Sequence, residues 1–478
     1  MRQTIAYFTG LDERLGPLAG DASAARSALN LSTDYGRLAS APGAVPEIDE
    51  PVPCLHPTRL TVFSDRIEGQ TFHYVVVGGK EGVYAHKNGA WQAIFEGESN
   101  GDWGFLTYQK GENTLLLFGD GLSPVQVWDG ETAQASPLPG APGKGRFFAL
   151  NYERVWMGGD IEHPDRLYYS RAMDVENWTP SVEIPDQGGG FVELPTFDGG
   201  ETTGIYKVGG DLCILKSTTA LLLYGSSPAS YQVMEMTGNL GTIAGRSAAV
   251  LGQSGFFLTS HGIGVQSGTA LSLLDDRKLP WLFDPGYGGE NDGILRPLGA
   301  AFGRCAAGIA HNERLYFTLP LGEDEQNSLL LEYDAGRQHY MLHSGAPILS
   351  LCKAGAMRER LLALTADGRV LAWGTAPHSP YAPALWQTPW LDFGTNRLKT
   401  LCGASLFGKV FSGGRHAAVK LVIESEKGRK SRILSPRRGG DELYRFVFRL
   451  PGRRFRLKIE SVGDTGFCFT GGLEMEVN

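Results

Sequence analysis

RLLALTADGRVLAWG, residues 360–374, joins two short apolar runs through an Asp-Gly turn and reads as a β-hairpin. The same phrase returns, varied, as LYYSRAMDVENWTP at 167–180, DLCILKSTTALLLYG at 211–225 and GFFLTSHGIGVQSG at 255–268. One hairpin cannot bury its apolar face alone, whereas hairpins stacked side by side bury it against each other. Repetition about every forty to sixty residues is the signature of a β-propeller, whose blades are sheets of four short strands. Blade starts are expected near Thr58, Trp103, Gly145, Glu201, Thr242, Gly303 and Gly345. Seven blades is the first expectation and six the second. The glycine clusters at 188–190 and 288–292 are expected as loop tips.

The expected fold class is therefore all-β, with residues 55–377 as the propeller. Residues 1–54 hold scattered apolar and many small residues, and read as an extended N-terminal arm. One short helix is predicted at 22–29, with Asp21 as its N-cap. Residues 378–390, HSPYAPALWQTPW, carry three prolines and are predicted to be a linker. Residues 391–478 contain AAVKLVIES, LYRFVFRL and RFRLKIES, strand-length runs in which the last two alternate apolar and basic residues. That alternation predicts a C-terminal β-sandwich with one basic face.

Glycine, at 65 residues, and proline, at 26, fall between apolar runs without a fixed triplet, which excludes collagen and disorder. No stretch approaches the roughly eighteen apolar residues of a membrane span, and the first residues lack the apolar core of a signal peptide. A soluble product made in the host cytoplasm is expected. The six cysteines are dispersed with no CxxC pair, and buried free thiols are expected.

Charge is divided unevenly. Residues 397–458 hold 17 Lys/Arg and 4 Asp/Glu, a balance of +13, which leaves 44 − 17 = 27 bases and 52 − 4 = 48 acids elsewhere, a balance of −21. Such asymmetry points to partners. The candidate partner interface is the set of bases Lys427, Arg429, Lys430, Arg432, Arg437, Arg438, Arg453, Arg454, Arg456 and Lys458, of which Arg454, Arg456 and Lys458 alternate and should share a strand face. It would meet an acidic neighbouring protein or DNA phosphates.

Catalytic signals are thin. Residues 170–178, SRAMDVENW, resemble the Asp-box of sialidase propellers, but the Ser-to-Asp spacing is wider and no glycine follows Asp174. Ser170, Asp174 and Trp178 are read as a turn lock, with Asp174 accepting backbone N–H bonds and Trp178 packed between blades. His339 and His343 have i, i+4 spacing on a predicted strand, which holds the rings too far apart to chelate a metal. Neither a GxxxxGK[ST] phosphate loop nor a nucleophile elbow is present. No enzyme activity, cofactor or metal is expected.

The order of these pieces resembles the propeller-bearing tail-hub, nozzle and packaged-DNA stabilisation proteins of tailed bacteriophages. ALNLSTDYGRLASAPGA at 28–44 is similar to their arm, RLYYSRAMDVENWT at 166–179 to their recurring blade motif, and TPWLDFGTNRLKTL at 388–401 to the entry of their C-terminal sandwich. The resemblance implies a structural virion protein in the tail or neck. Identical subunits would form a ring around a DNA channel next to a portal or adaptor, and would help retain the genome. The alternative is a carbohydrate-binding or carbohydrate-cleaving propeller, such as a receptor-binding tail protein.

Overall fold

The computed structural model describes residues 1–14, 22–67, 70–195, 200–274, 277–284, 286–288, 294–355, 359–376, 383–412, 418–435, 440–463 and 465–478. It is an all-β, propeller-like molecule. Seven four-stranded antiparallel sheets follow one another along the chain, and two larger sheets gather the two chain ends. First strands of the seven begin at Pro57, Gly104, Phe147, Thr202, Ala249, Ala307 and Ile348. Each first strand touches that of the next sheet, and Ile348–Ala354 touches Pro57–Ile67, which closes the circuit.

The sequence explains why the sheets stand face to face. Successive residues of a strand point to opposite faces, and in DLCILK both sets are apolar. Leu212 and Ile214 join Trp156 and Leu167 of the third sheet, while Cys213 and Leu215 join Phe257 of the fifth. A strand sandwiched between two neighbours must be apolar on both sides. Comparable clusters fill every junction between consecutive sheets. The fifth and sixth sheets share theirs with the C-terminal sheets and the arm.

The last of the seven sheets is completed from the other end of the chain. Gly43–Pro46 pairs with Val370–Ala376, placing Val45 opposite Ala372. The arm then runs along the sixth sheet, where Leu11 N–H donates to Tyr340 O (2.9 Å) and Asn30 N–H to Leu342 O (2.7 Å). Arg2–Ile5 pairs with Leu473–Val477 in a seven-stranded sheet, and Ser27–Leu29 with Leu385–Gln387 in a five-stranded one.

Two expectations are corrected here. The helix at 22–29 does not form: Ser27–Leu29 is a strand, because its neighbour Leu385–Gln387 supplies ladder bonds that an isolated short helix lacks. Asp21 lies outside the described residues. Nor are residues 383–390 a linker. Leu385–Gln387 sits between Ser27–Leu29 and Phe455–Val462, Trp386 is fully buried against Phe8, and Thr388 N–H donates to Leu457 O. Pro383 and Pro389 flank this strand without interrupting it, so their missing N–H groups cost no ladder bond. Residues 378–382 lie outside the description.

Gly188 ends a short 3-10 turn and Gly190 opens the strand Gly190–Glu193, while 289–292 are outside the described residues. All six cysteines are free, with Cys213 and Cys352 buried and the other four half-buried.

Candidate partner interface

The expected basic residues that are described fall into two groups on the strands and turns of the C-terminal sheets. On the five-stranded sheet, Arg456 lies opposite Glu424 and Lys458 opposite Val422. Arg456 pairs with Glu424 at 2.9 Å and stacks over Trp390. Arg429 pairs with the same glutamate at 3.2 Å, and Lys458 reaches Glu460 at 3.5 Å. Glutamates therefore interleave with this part of the stripe and offset its charge.

The other bases gather along an open edge. Gly428–Leu434 is ladder-paired to Ala418–Ser425 alone, and Glu442–Gly452 to Lys399–Ser412 alone, among the described residues. These two outermost strands, one from each sheet, lie side by side. Lys430 and Arg432 project there, and Arg432 donates to Val447 O and lies over Phe448. Lys427 and Arg453 sit at the neighbouring turns, exposed, with Arg454 half-exposed beside them. Arg437 and Arg438 fall outside the described residues.

Arg445 and Arg449 belong to the same edge and were not singled out from the sequence. The strand Glu442–Gly452 alternates cleanly: Tyr444, Phe448 and Leu450 are buried, while Leu443, Arg445, Val447 and Arg449 are exposed. LYRFVFRL carried that signal, since its arginines stand two positions either side of Val447. Lys427, Lys430, Arg445, Arg449 and Arg454 make no ion pair among the described residues. Around them Ile433 is 70% and Val447 77% exposed, so the edge offers cations and apolar surface together.

The turn residues come together in the third sheet. Ser170 is fully buried. Its hydroxyl accepts from Val155 N–H at 3.0 Å and donates to Arg171 O at 2.9 Å. Asp174 Oδ1 accepts from Glu176 N–H at 3.2 Å, half-exposed. Trp178 donates to Val175 O at 2.7 Å and packs among Leu117, Leu138 and Met157 of the second and third sheets. Ser170→Ala would leave the buried Val155 N–H unpaired and is expected to lower stability by about 1–3 kcal/mol. Asp174→Ala, at an exposed bond, is expected to cost under about 1 kcal/mol, with both variants compared to the wild type by urea titration.

A charged cluster missed by the sequence reading sits where the sheets begin. Asp102, before the second sheet, contacts Arg59 of the first (3.5 Å), Arg146 before the third (3.2 Å) and Arg246 before the fifth (3.0 Å). Glu201, before the fourth, pairs with Arg146 at 3.0 Å. Arg246 also donates to the carbonyls of Asp102 and Arg146 and stacks on Phe147, which ties together entries far apart in sequence. A Cβ on Gly245 would come within 1.8 Å of Thr203 O, so only glycine lets this segment lie against the fourth sheet. Burial alone would raise the Asp102 pKa, but the charges of Arg246, Arg59 and Arg146 outweigh it and hold the carboxyl well below the usual carboxylate range. The available signal was a charged residue at or beside five of the seven expected blade starts, Thr58, Trp103, Gly145, Glu201 and Gly303.

No protein-family model matches the chain, and no curated protein matches it. Among solved structures, the crystal structure of the computationally designed Ika8 protein is similar over 68% of this chain and 98% of its own, at 14% identity and a TM-score of 0.40. The crystal structure of Saccharomyces cerevisiae Sqt1 is similar over 70% of this chain and 99% of its own, at 7% identity and a TM-score of 0.40. At these values the similarities carry no argument about what this chain does.

Proposed function

We propose that the seven four-stranded sheets are the blades of a seven-bladed β-propeller and that the two C-terminal sheets form a β-sandwich. The protein is then a structural, ring-forming component of a phage tail, a nozzle or hub in the virion made in the host cytoplasm. It extends the DNA channel next to a portal or adaptor and helps retain the genome, without turnover. The supporting observation is the open basic and apolar edge built from Lys430, Arg432, Arg445, Val447 and Arg449, set against a remainder of the chain with a balance of −21. A basic edge on one copy that meets an acidic surface on the next makes a head-to-tail contact, and such contacts close into rings when the rotation permits.

The carbohydrate-cleaving alternative needs a carboxyl that carries a proton near neutral pH. Asp102, at the entry of the sheet ring, is held ionised by three arginines, which is the wrong state for a general acid.

Negative-stain imaging of the purified protein, alone and mixed with neighbouring tail proteins, tests this reading. Rings or attached rings are expected for the wild type, weakened as salt rises, since exposed charges are screened over about 8 Å at physiological ionic strength. The variant K430E/R445E/R449E should fail to assemble while melting normally, because exposed substitutions cost under about 0.5 kcal/mol each. Normal assembly by the variant, indifferent to salt, would reject the edge as an interface. Tight duplex-DNA binding by the wild type alone would replace docking with phosphate contact.

A further inference from the structure

Beside the Asp102 cluster lies a cavity of about 250 Å³, bounded by residues entering the first, second, sixth and seventh sheets. Its lining carries the cations Arg59, Lys80 and Arg304 and the anions Asp102 and Glu325, together with the neutral polar groups of Thr58, Asn100 and Asn327. Of the two anions, the buried one is already engaged, while Glu325 is exposed and makes no ion pair among the described residues. Asp102 is shared among three guanidinium groups, and Arg59 has the longest of the three contacts.

Arg59 is the informative member. Its side chain is 8% exposed, its Nη2 donates to Arg304 O at 3.2 Å, and its Nε is buried with no partner among the described residues. A buried guanidinium is stable only when its charge and its fork of donors are matched. Here a third of a carboxylate and one carbonyl face it. Lys80 and Arg304 stand exposed on the same lining without an ion pair among the described residues, and Arg304 Nη2 makes only a long bond of 3.4 Å to Glu325 O. Three cations converge on a partly enclosed space where the effective dielectric is low and charge interactions are strong.

We propose that this cavity is a binding site for a small multivalent oxyanion, a phosphomonoester or a di- or tricarboxylate. Lys80 and Arg304 supply the charge at its rim, and Arg59 supplies the buried donor at its floor. Guanidinium groups recognise such ligands through paired N–H···O bonds, and Lys80 adds a point charge. The site is independent of the assembly proposal, since none of its residues belongs to the C-terminal edge.

Titration calorimetry and thermal melts with inorganic phosphate and with citrate, each against sodium chloride at matched ionic strength, test it. One equivalent of at least one anion should bind, and the melting temperature should rise with the logarithm of its concentration. Binding of phosphate alone identifies a phosphate-type ligand, and binding of citrate alone identifies a carboxylate. K80Q/R304Q changes only exposed side chains outside the Asp102 ion cluster. It should melt like the wild type without anion and bind at least tenfold more weakly. E325Q, which removes the exposed negative charge of the lining, should bind more tightly. The proposal is overturned if neither anion stabilises the protein beyond the chloride control, or if K80Q/R304Q binds as tightly as the wild type.

Discussion

A chain that begins at residue 55 is expected to be recovered unfolded or aggregated, with no cooperative thermal transition by circular dichroism. The arm places Ile5, Phe8, Leu11, Leu31 and Leu38 in the core, each at most 2% exposed. Burying a side chain of this kind contributes about 1.5–3 kcal/mol, so five together contribute roughly as much as the 5–15 kcal/mol that stabilises a whole domain. The truncation also removes Gly43–Pro46 from the seventh sheet, Arg2–Ile5 from Leu473–Val477, and the partner of the buried Trp386. A truncated protein that melts cooperatively near the full-length temperature would show that the sheet ring closes without the arm.

Asp102→Asn is expected to destabilise the protein by about 3–5 kcal/mol at neutral pH, because removing one partner from a largely buried ion cluster leaves the opposite charges uncompensated. Arg59, Arg146 and Arg246 would then face each other with only the exposed Glu201 to balance them. The pH dependence has a definite sign. The folded pKa of Asp102 is depressed, so its contribution is fully present above the ordinary carboxylate value of about 4 and is lost as pH falls toward the folded value. The urea midpoint of the wild type should therefore fall on acidification below about pH 4, with a shallower fall in D102N. Adding Arg246→Gln to D102N should recover part of the loss. Equal midpoints for wild type and D102N at pH 7 would show that solvent already screens the cluster.

Much of the sheet ring is legible in the sequence because each hairpin is local. Runs such as DLCILK declare strands buried on both faces, and turn residues separate them at regular intervals. Closure of the seventh sheet is not legible, since Gly43–Pro46 and Val370–Ala376 are joined by backbone bonds that leave no mark on either segment. The prolines around 378–390 read as a linker because proline forbids a ladder bond only at its own position, and the intervening Leu385–Gln387 is free to pair. The basic stripe was legible as composition. Its partial neutralisation was not, because Glu424 meets Arg456 from 32 residues away. The Asp102 cluster was the hardest to see, its members being drawn from five separate entries, with Arg246 and Asp102 144 residues apart.

Pairing strands of the arm with strands more than 300 residues further along the chain has a consequence in time. On a ribosome adding about 5–20 residues per second, Gly43–Pro46 emerges roughly tens of seconds before Val370–Ala376, and Arg2–Ile5 before Leu473–Val477. Throughout that interval the nascent arm carries apolar side chains and unpaired backbone groups that other nascent chains on the same message can capture. Contacts of such long sequence separation also form slowly in refolding, because loop-closure entropy must be overcome before they stabilise anything. The yield of folded protein is thus governed by how well the arm strands are shielded until Val370–Ala376 and Leu473–Val477 leave the ribosome.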